Sequence, residues 1–168
     1  MKILHTSKQI QHRVAEIATV LDSKYPEGFT AVCVLKGSFI FTADLVRCLK
    51  VPVQVEFTQA ISYRGTESTG EVRFFGTPNV FSKHVVVVED IVDTGLTISK
   101  LLDELKKQHP LSIEVCTLLD KPSRRKFPVR LDYIGFEVPD EFVVGYGLDC
   151  DEEMRNLPHI AVMKDQTK

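Results

Sequence analysis

Apolar residues Ile10, Val14, Ile17, Ala18 and Leu21 recur with the helical period, and the run opens at Thr6-Ser7, either of which can cap it. It closes before Pro26 and Gly28. The β-branched run Thr30 to Leu35, bounded by Gly28 and Gly37, predicts a buried strand, after which Phe41, Leu45, Val46 and Leu49 restore helical spacing over Ser38 to Leu49. Val53, Val55 and Phe57 alternate with Gln54 and Glu56, as in a half-exposed strand. This strand leads into a polar segment, Ser62 to Gly70, whose composition predicts mobility, and a short strand near Glu71 to Phe75. His84 to Val88 predicts a fully apolar strand, and Leu96 to Lys107 a helix carrying Ile98, Leu101, Leu102 and Leu105. A strand over Ile113 to Leu119 runs into the basic loop Lys121 to Lys126, with shorter strands near Tyr133 to Val138 and Phe142 to Tyr146. Alternating strands and helices predict an α/β fold: an open, twisted, mainly parallel sheet with helices on both faces and its ligand site at the carboxyl ends of the strands. No repeat, linker or low-complexity tract divides residues 1–168, so a single domain is expected.

Composition narrows the function classes. With 43% hydrophobic and 26% charged residues, the chain can bury a core. A formal charge of -2 provides no global positive field to recruit nucleic acid or an anionic membrane, so any polyanion site is local. The longest aliphatic stretch, Val85 to Val88, falls far short of the roughly 18 residues of a membrane span. Met1 to Leu4 meets His5, Thr6 and Ser7 before a signal core forms. Cys33, Cys48, Cys116 and Cys150 show no C-x-x-C spacing and read as reduced thiols, which points to the cytoplasm. The histidines are too scattered for structural zinc.

Two nucleotide-binding motifs are nearly present. Gly65 to Gly70 has P-loop glycine spacing, but Glu71-Val72 stands where Lys-Ser/Thr would meet phosphate and metal. Gly145-Tyr146-Gly147 lacks the third glycine of the dinucleotide fingerprint. Both read as turns.

The segment Val85-Val86-Val87-Val88-Glu89-Asp90-Ile91-Val92-Asp93-Thr94-Gly95-Leu96-Thr97 delivers three carboxylates from an apolar strand into a helix start. Taken singly, each has a plain reading: Asp93 or Thr94 as a helix cap, Glu89 and Asp90 as solvated acids. Taken together, adjacent acids at a strand end can accept hydrogen bonds from vicinal sugar hydroxyls or hold a divalent cation through them. Free N–H groups of Thr94, Gly95, Leu96 and Thr97, with two threonine hydroxyls, form an anion cradle at the positive end of a helix. Such a loop fits a ribose 5-phosphate.

This segment resembles the signature of the phosphoribosyltransferases that use phosphoribosyl diphosphate. The resemblance narrows to the hypoxanthine-guanine phosphoribosyltransferase family through further blocks in family order: Leu35-Lys36-Gly37-Ser38, Ser62-Tyr63 with Ser68-Thr69-Gly70, Lys121, and Glu141-Phe142-Val143-Val144-Gly145-Tyr146-Gly147-Leu148-Asp149. The resemblance implies the family core with a small hood from both chain ends, and transfer of ribose 5-phosphate to N9 of a 6-oxopurine with loss of pyrophosphate. Glu89 and Asp90 would lie beneath the electron-poor ribose, and Asp93 would accept the N7 proton as general base. Lys36 and Gly37 would bind pyrophosphate, with a cis bond at Leu35-Lys36. Lys121 would meet the 6-oxo group, Phe142 would stack on the purine, and Val143 would pair through its main chain. Asp149, with Glu89 and Asp90, would serve Mg2+, and Arg155 would contact pyrophosphate. Ser62 and Tyr63 would belong to a closing segment, and a dimer or tetramer is implied.

The residues also suggest limits and rivals. Asp120 could compete for Lys121, Asp151-Glu152-Glu153 reads as a solvated acidic helix start outside the site, and a lysine donor disfavours adenine. Main-chain contacts at Val143 leave xanthine preference open. The run Lys121 to Lys126 admits a rival class, an RNA-binding regulator on the same fold, although the charge balance and catalytic set argue against nucleic acid.

Overall fold

The computed structural model describes residues 1–62 and 72–163; Tyr63, the polar segment that follows it to Gly70, Glu71 and residues 164–168 lie outside them. The elements run β1 (Lys2–His5), α1 (Ser7–Lys24), β2 (Phe29–Leu35), α2 (Phe39–Cys48), β3 (Val53–Ser62), β4 (Val72–Phe75), β5 (His84–Val92), α3 (Leu96–Lys106), β6 (Ser112–Asp120), a 3-10 turn at Pro122–Arg124, β7 (Tyr133–Glu137), β8 (Val143–Val144) and β9 (Ile160–Val162). The main sheet has the order β4-β3-β2-β5-β6-β7, parallel throughout except for β4 against β3. The mainly parallel α/β architecture is therefore the one the alternating pattern predicts.

Helices on both faces account for the unbroken valines of β5. Val86 and Val88 pack with Cys116 and Leu118 against Ile10, Val14, Ile17 and Leu21 of α1 and Phe41 and Leu45 of α2. Val85 and Val87 pack with Val115 against Ile98, Leu101 and Leu105 of α3. Each such fully buried side chain contributes about 1.5–3 kcal/mol. Thr6, of the two candidate caps, starts α1: its side chain accepts from Gln9 N–H at 3.3 Å while Gln9 Oε1 accepts from Thr6 N–H at 2.8 Å, a reciprocal arrangement that satisfies two otherwise unpaired donors.

A small antiparallel sheet, β1-β9-β8, joins both chain ends. It forms the hood implied by the resemblance, with His5 stacked on Phe136 of β7 at 3.9 Å between ring centroids. β1 and β9 are too short for periodicity to reveal. The strand expected over Phe142 to Tyr146 shrinks to two residues because Gly145 and Tyr146 take positive φ values of 98° and 50°.

The site is created by unequal strand pairing. β5 stays paired with β6 as far as Val92↔Asp120, whereas its pairing with β2 stops at Cys33↔Val88. The next crossovers from β2 and β5 lead to opposite sides of the sheet, so this crevice is the topological switch point.

Candidate active site

Glu89 is the first residue of β5 past the last β2 pair, and it is only 6% exposed. Asp90 N–H donates to Glu89 Oε1 at 3.1 Å, and Ile91 N–H donates to Asp90 Oδ1 at 2.7 Å. Burial, and then the charge of Asp90, pushes the Glu89 carboxyl well above the usual carboxylate range. Burial also raises Asp90, although hydrogen bonds from its surroundings and the charge of Arg155 offset part of the rise. Two adjacent acids in one crevice favour a positive charge beside them. Gly37 closes this corner after a Leu35-Lys36 peptide bond that is cis. A Cβ on Gly37 would fall 1.6 Å from Asp90 Oδ2, so the absence of a side chain lets the turn reach the carboxylate.

Beyond Asp90 the chain turns into α3 through Gly95, whose φ of 87° suits glycine. The first-turn amides have no helical acceptor, as at any α-helix start, and Leu96 N–H leans on Thr94 Oγ1 at 3.3 Å. Leu35, Gly37, Glu89, Asp90, Asp93 and the turn from Thr94 to Thr97 enclose a cavity of about 230 Å³. Asp90 and Asp93 also face a second cavity of about 700 Å³, shared with Lys121, Phe142, Val143 and Asp149. Two compartments thus meet at the two aspartates. Arg124 Nε comes within 3.2 Å of Asp93 Oδ1 but is not aligned to donate, leaving that shielded oxygen without a hydrogen bond.

In the larger cavity Lys121 is buried, and its ammonium donates to Glu141 O at 2.9 Å with Asp140 Oδ1 at 3.9 Å. The competition expected from Asp120 does not occur, because Asp120 pairs with Arg125. Phe142 is 53% exposed on the cavity rim, and Val143 is paired with Val162 of β9. Ser62 ends β3 opposite Val72, while its neighbour Tyr63 lies outside the described residues.

Lys36 and Arg155 stand outside both cavities and meet through a residue that sequence reasoning had set aside. Residues 151–153 form a turn rather than a helix start, with Asp151 and Glu152 at positive φ. This turn brings Glu152 Oε2 to 3.0 Å from Lys36 Nζ and 3.3 Å from Arg155 Nη2. Arg155 also holds Asp149 Oδ1 at 3.0 Å. Among the described residues no three acidic, histidine or cysteine side chains converge to cage a metal. The donor set, hard carboxylates lining the cavities, suits a small divalent cation that keeps substrate oxygens and water as its other ligands.

Arg124 and Arg125 entered the sequence reading only as part of a basic run, and Asp140 was not singled out at all; Lys121, Arg124 and Arg125 of that run engage the site's own acids and carbonyls.

The sheet parts at its switch point, and an acid pair and the free amides of a helix start face two adjoining cavities there, an arrangement that can hold an anionic group next to an electron-poor one. The chain matches the phosphoribosyl transferase domain over residues 1–151. It is 42% identical to the hypoxanthine-guanine phosphoribosyltransferase of Bacillus subtilis, covering 97% of this chain and 93% of the relative. It is 40% identical to the hypoxanthine phosphoribosyltransferase of Buchnera aphidicola, covering 95% and 94%. The crystal structure of a Bacillus anthracis hypoxanthine-guanine phosphoribosyltransferase superposes with a TM-score of 0.92 at 44% identity, covering 98% of this chain and 99% of that one. That of a Trypanosoma cruzi hypoxanthine phosphoribosyltransferase gives 0.92 at 38%, covering 98% and 91%. The chain belongs to the phosphoribosyltransferase family, in its hypoxanthine-guanine branch.

Proposed function

We propose that this enzyme transfers ribose 5-phosphate from phosphoribosyl diphosphate to N9 of hypoxanthine or guanine, yielding IMP or GMP and pyrophosphate. The observation that carries the reading is the Asp93 side chain, which lines both cavities and is paired there with Arg124 rather than spent on capping the helix. As N9 attacks, Asp93 accepts the N7 proton, and the base is held with Lys121 at the 6-oxo group, Phe142 on the ring face and the Val143 main chain at its far edge. The amides of Thr94, Gly95, Leu96 and Thr97 hold the 5-phosphate. Glu89 and Asp90 stabilise the ribose as it becomes electron-poor, the developing positive charge favouring the ionised form that burial alone disfavours. Lys36, Gly37 and Arg155 receive pyrophosphate in place of Glu152. Bound Mg2+, carried by Asp149 and reached through the sugar hydroxyls by Glu89 and Asp90, would neutralise charge on the departing pyrophosphate.

Residues 1–168 act as one domain in the cytoplasm, without a nucleic-acid or membrane partner. A homo-oligomer, dimer or tetramer, is part of this reading. It is supported by exposed Phe39, Phe57 and Phe75 and by the T. cruzi relative, whose C-terminal region was studied for its role in oligomeric state. Steady-state kinetics with Mg2+ and phosphoribosyl diphosphate, purine by purine, tests the activity. Turnover of hypoxanthine and guanine with little adenine use is expected, since a lysine donor cannot pair with a 6-amino group. Comparable turnover of adenine, or none of any purine, overturns the reading.

A further inference from the structure

Arg125 contacts neither cavity, yet it is fastened to the turn that carries the chemistry. Its Nε donates to Asp93 O at 3.1 Å and its Nη2 to Val92 O at 3.2 Å, while Nη2 also pairs with the Asp120 carboxylate at the end of β6. Both members are well covered, at 19% and 12% side-chain exposure. The following residues complete the attachment: the N–H groups of Lys126 and Phe127 both donate to Thr94 O at 2.9 Å, and Lys121 N–H donates to Val92 O at 3.0 Å. The carbonyls of Val92, Asp93 and Thr94 therefore all accept hydrogen bonds from the loop that begins with Lys121. The stem of Arg125 also lies against the turn: a Cβ on Gly95 would fall 2.9 Å from Arg125 Cδ.

We infer that Arg125 is a positioning residue: it locks the main chain of Val92 and Asp93 to Asp120, fixing at once the aim of the Asp93 carboxylate and the amides of the phosphate cradle. This inference rests on the proposed roles of Asp93 and the cradle. A planar guanidinium can serve two carbonyls and a carboxylate simultaneously. A lysine at the same place keeps the charge pairing with Asp120 but, as a point charge, loses the fork. A misplacement of about 1 Å at a reacting group can cost about a hundredfold in rate.

The test is Arg125→Lys, with Asp120→Asn as a second variant. Each is measured for melting temperature, for ribose 5-phosphate binding by calorimetry, and for kcat and KM with hypoxanthine. The expected result for Arg125→Lys is a fold that melts within a few degrees of wild type, kcat lower by about 10- to 100-fold, and ribose 5-phosphate binding weakened several-fold. Asp120→Asn is expected to shift kcat and binding in the same direction by less. Wild-type kcat and binding in a folded Arg125→Lys, or losses no larger than the unfolded fraction explains, overturn the inference and leave the proposed function standing. If wild type itself neither binds ribose 5-phosphate nor turns over hypoxanthine, the functional reading fails first.

Discussion

At two points the proposed chemistry rests on single side chains. Asp93→Asn keeps the volume and acceptor oxygen of the side chain but removes its capacity to take a proton, so kcat is expected to fall by about 100-fold or more with the melting temperature preserved. A near-native rate in the folded variant removes Asp93 from the general-base role. Gly37→Ala sets a methyl 1.6 Å from Asp90 Oδ2 and forces that carboxylate to rotate away. Its kcat/KM is expected to drop by about tenfold or more, and the loss should not add to that of Asp90→Asn, because both act on one group. Fully additive losses would show that the methyl harms something other than Asp90. Glu89, Asp90 and Asp93 were legible in the sequence because one strand and its turn hold all three. Glu152 was not, since its partners depend on a turn with positive φ that composition does not reveal, and Asp120 found Arg125 rather than the lysine beside it.

Among the elements, β6 is anchored at its amino end by a polar knot far from the site. Glu114 accepts from Tyr25 and Tyr133 hydroxyls, each at 2.6 Å, and pairs with Lys24, joining the end of α1 to β6 and β7. Burial alone would raise the Glu114 carboxyl, but the hydrogen bonds from Lys24, Tyr133 and Tyr25 outweigh it and hold it below its usual range. Burial and the same carboxylate push both phenols upward. A carboxyl depressed by folding contributes stability that is complete above its unfolded value, about 4.3, and is lost as pH falls through the folded value. Glu114→Gln is therefore expected to cost about 1–2 kcal/mol near pH 7, or about 2–8 °C in melting temperature, with the gap narrowing toward pH 3. Parallel melting curves across that range would exclude the knot as a source of acid sensitivity. The long elements were readable because many residues repeat one period, whereas β1 and β9, with four and three residues, owe their existence to pairing across the chain.

At the scale of the molecule, exposed Phe39, Val55, Phe57 and Phe75 leave apolar area on and beside α2 and the β3-β4 edge. Light scattering is expected to give a dimer or tetramer, and a strictly monomeric mass at micromolar concentration would refute the proposed assembly. The parallel sheet, its two helical layers and the acid-rich turn could be argued from sequence alone. The bracing loop could not, because its contacts link residues about thirty positions apart. The early parting of β2 from β5 has an evolutionary and engineering consequence. One more rung, Val34 zipped to Glu89, would lengthen the pairing and toughen the protein against heat, yet it would displace the Ser38 hydroxyl that donates to Val34 O and seal the cleft. Selection for hardiness and selection for turnover therefore pull in opposite directions at that seam, and consolidating mutations should be sought on the outer strands instead.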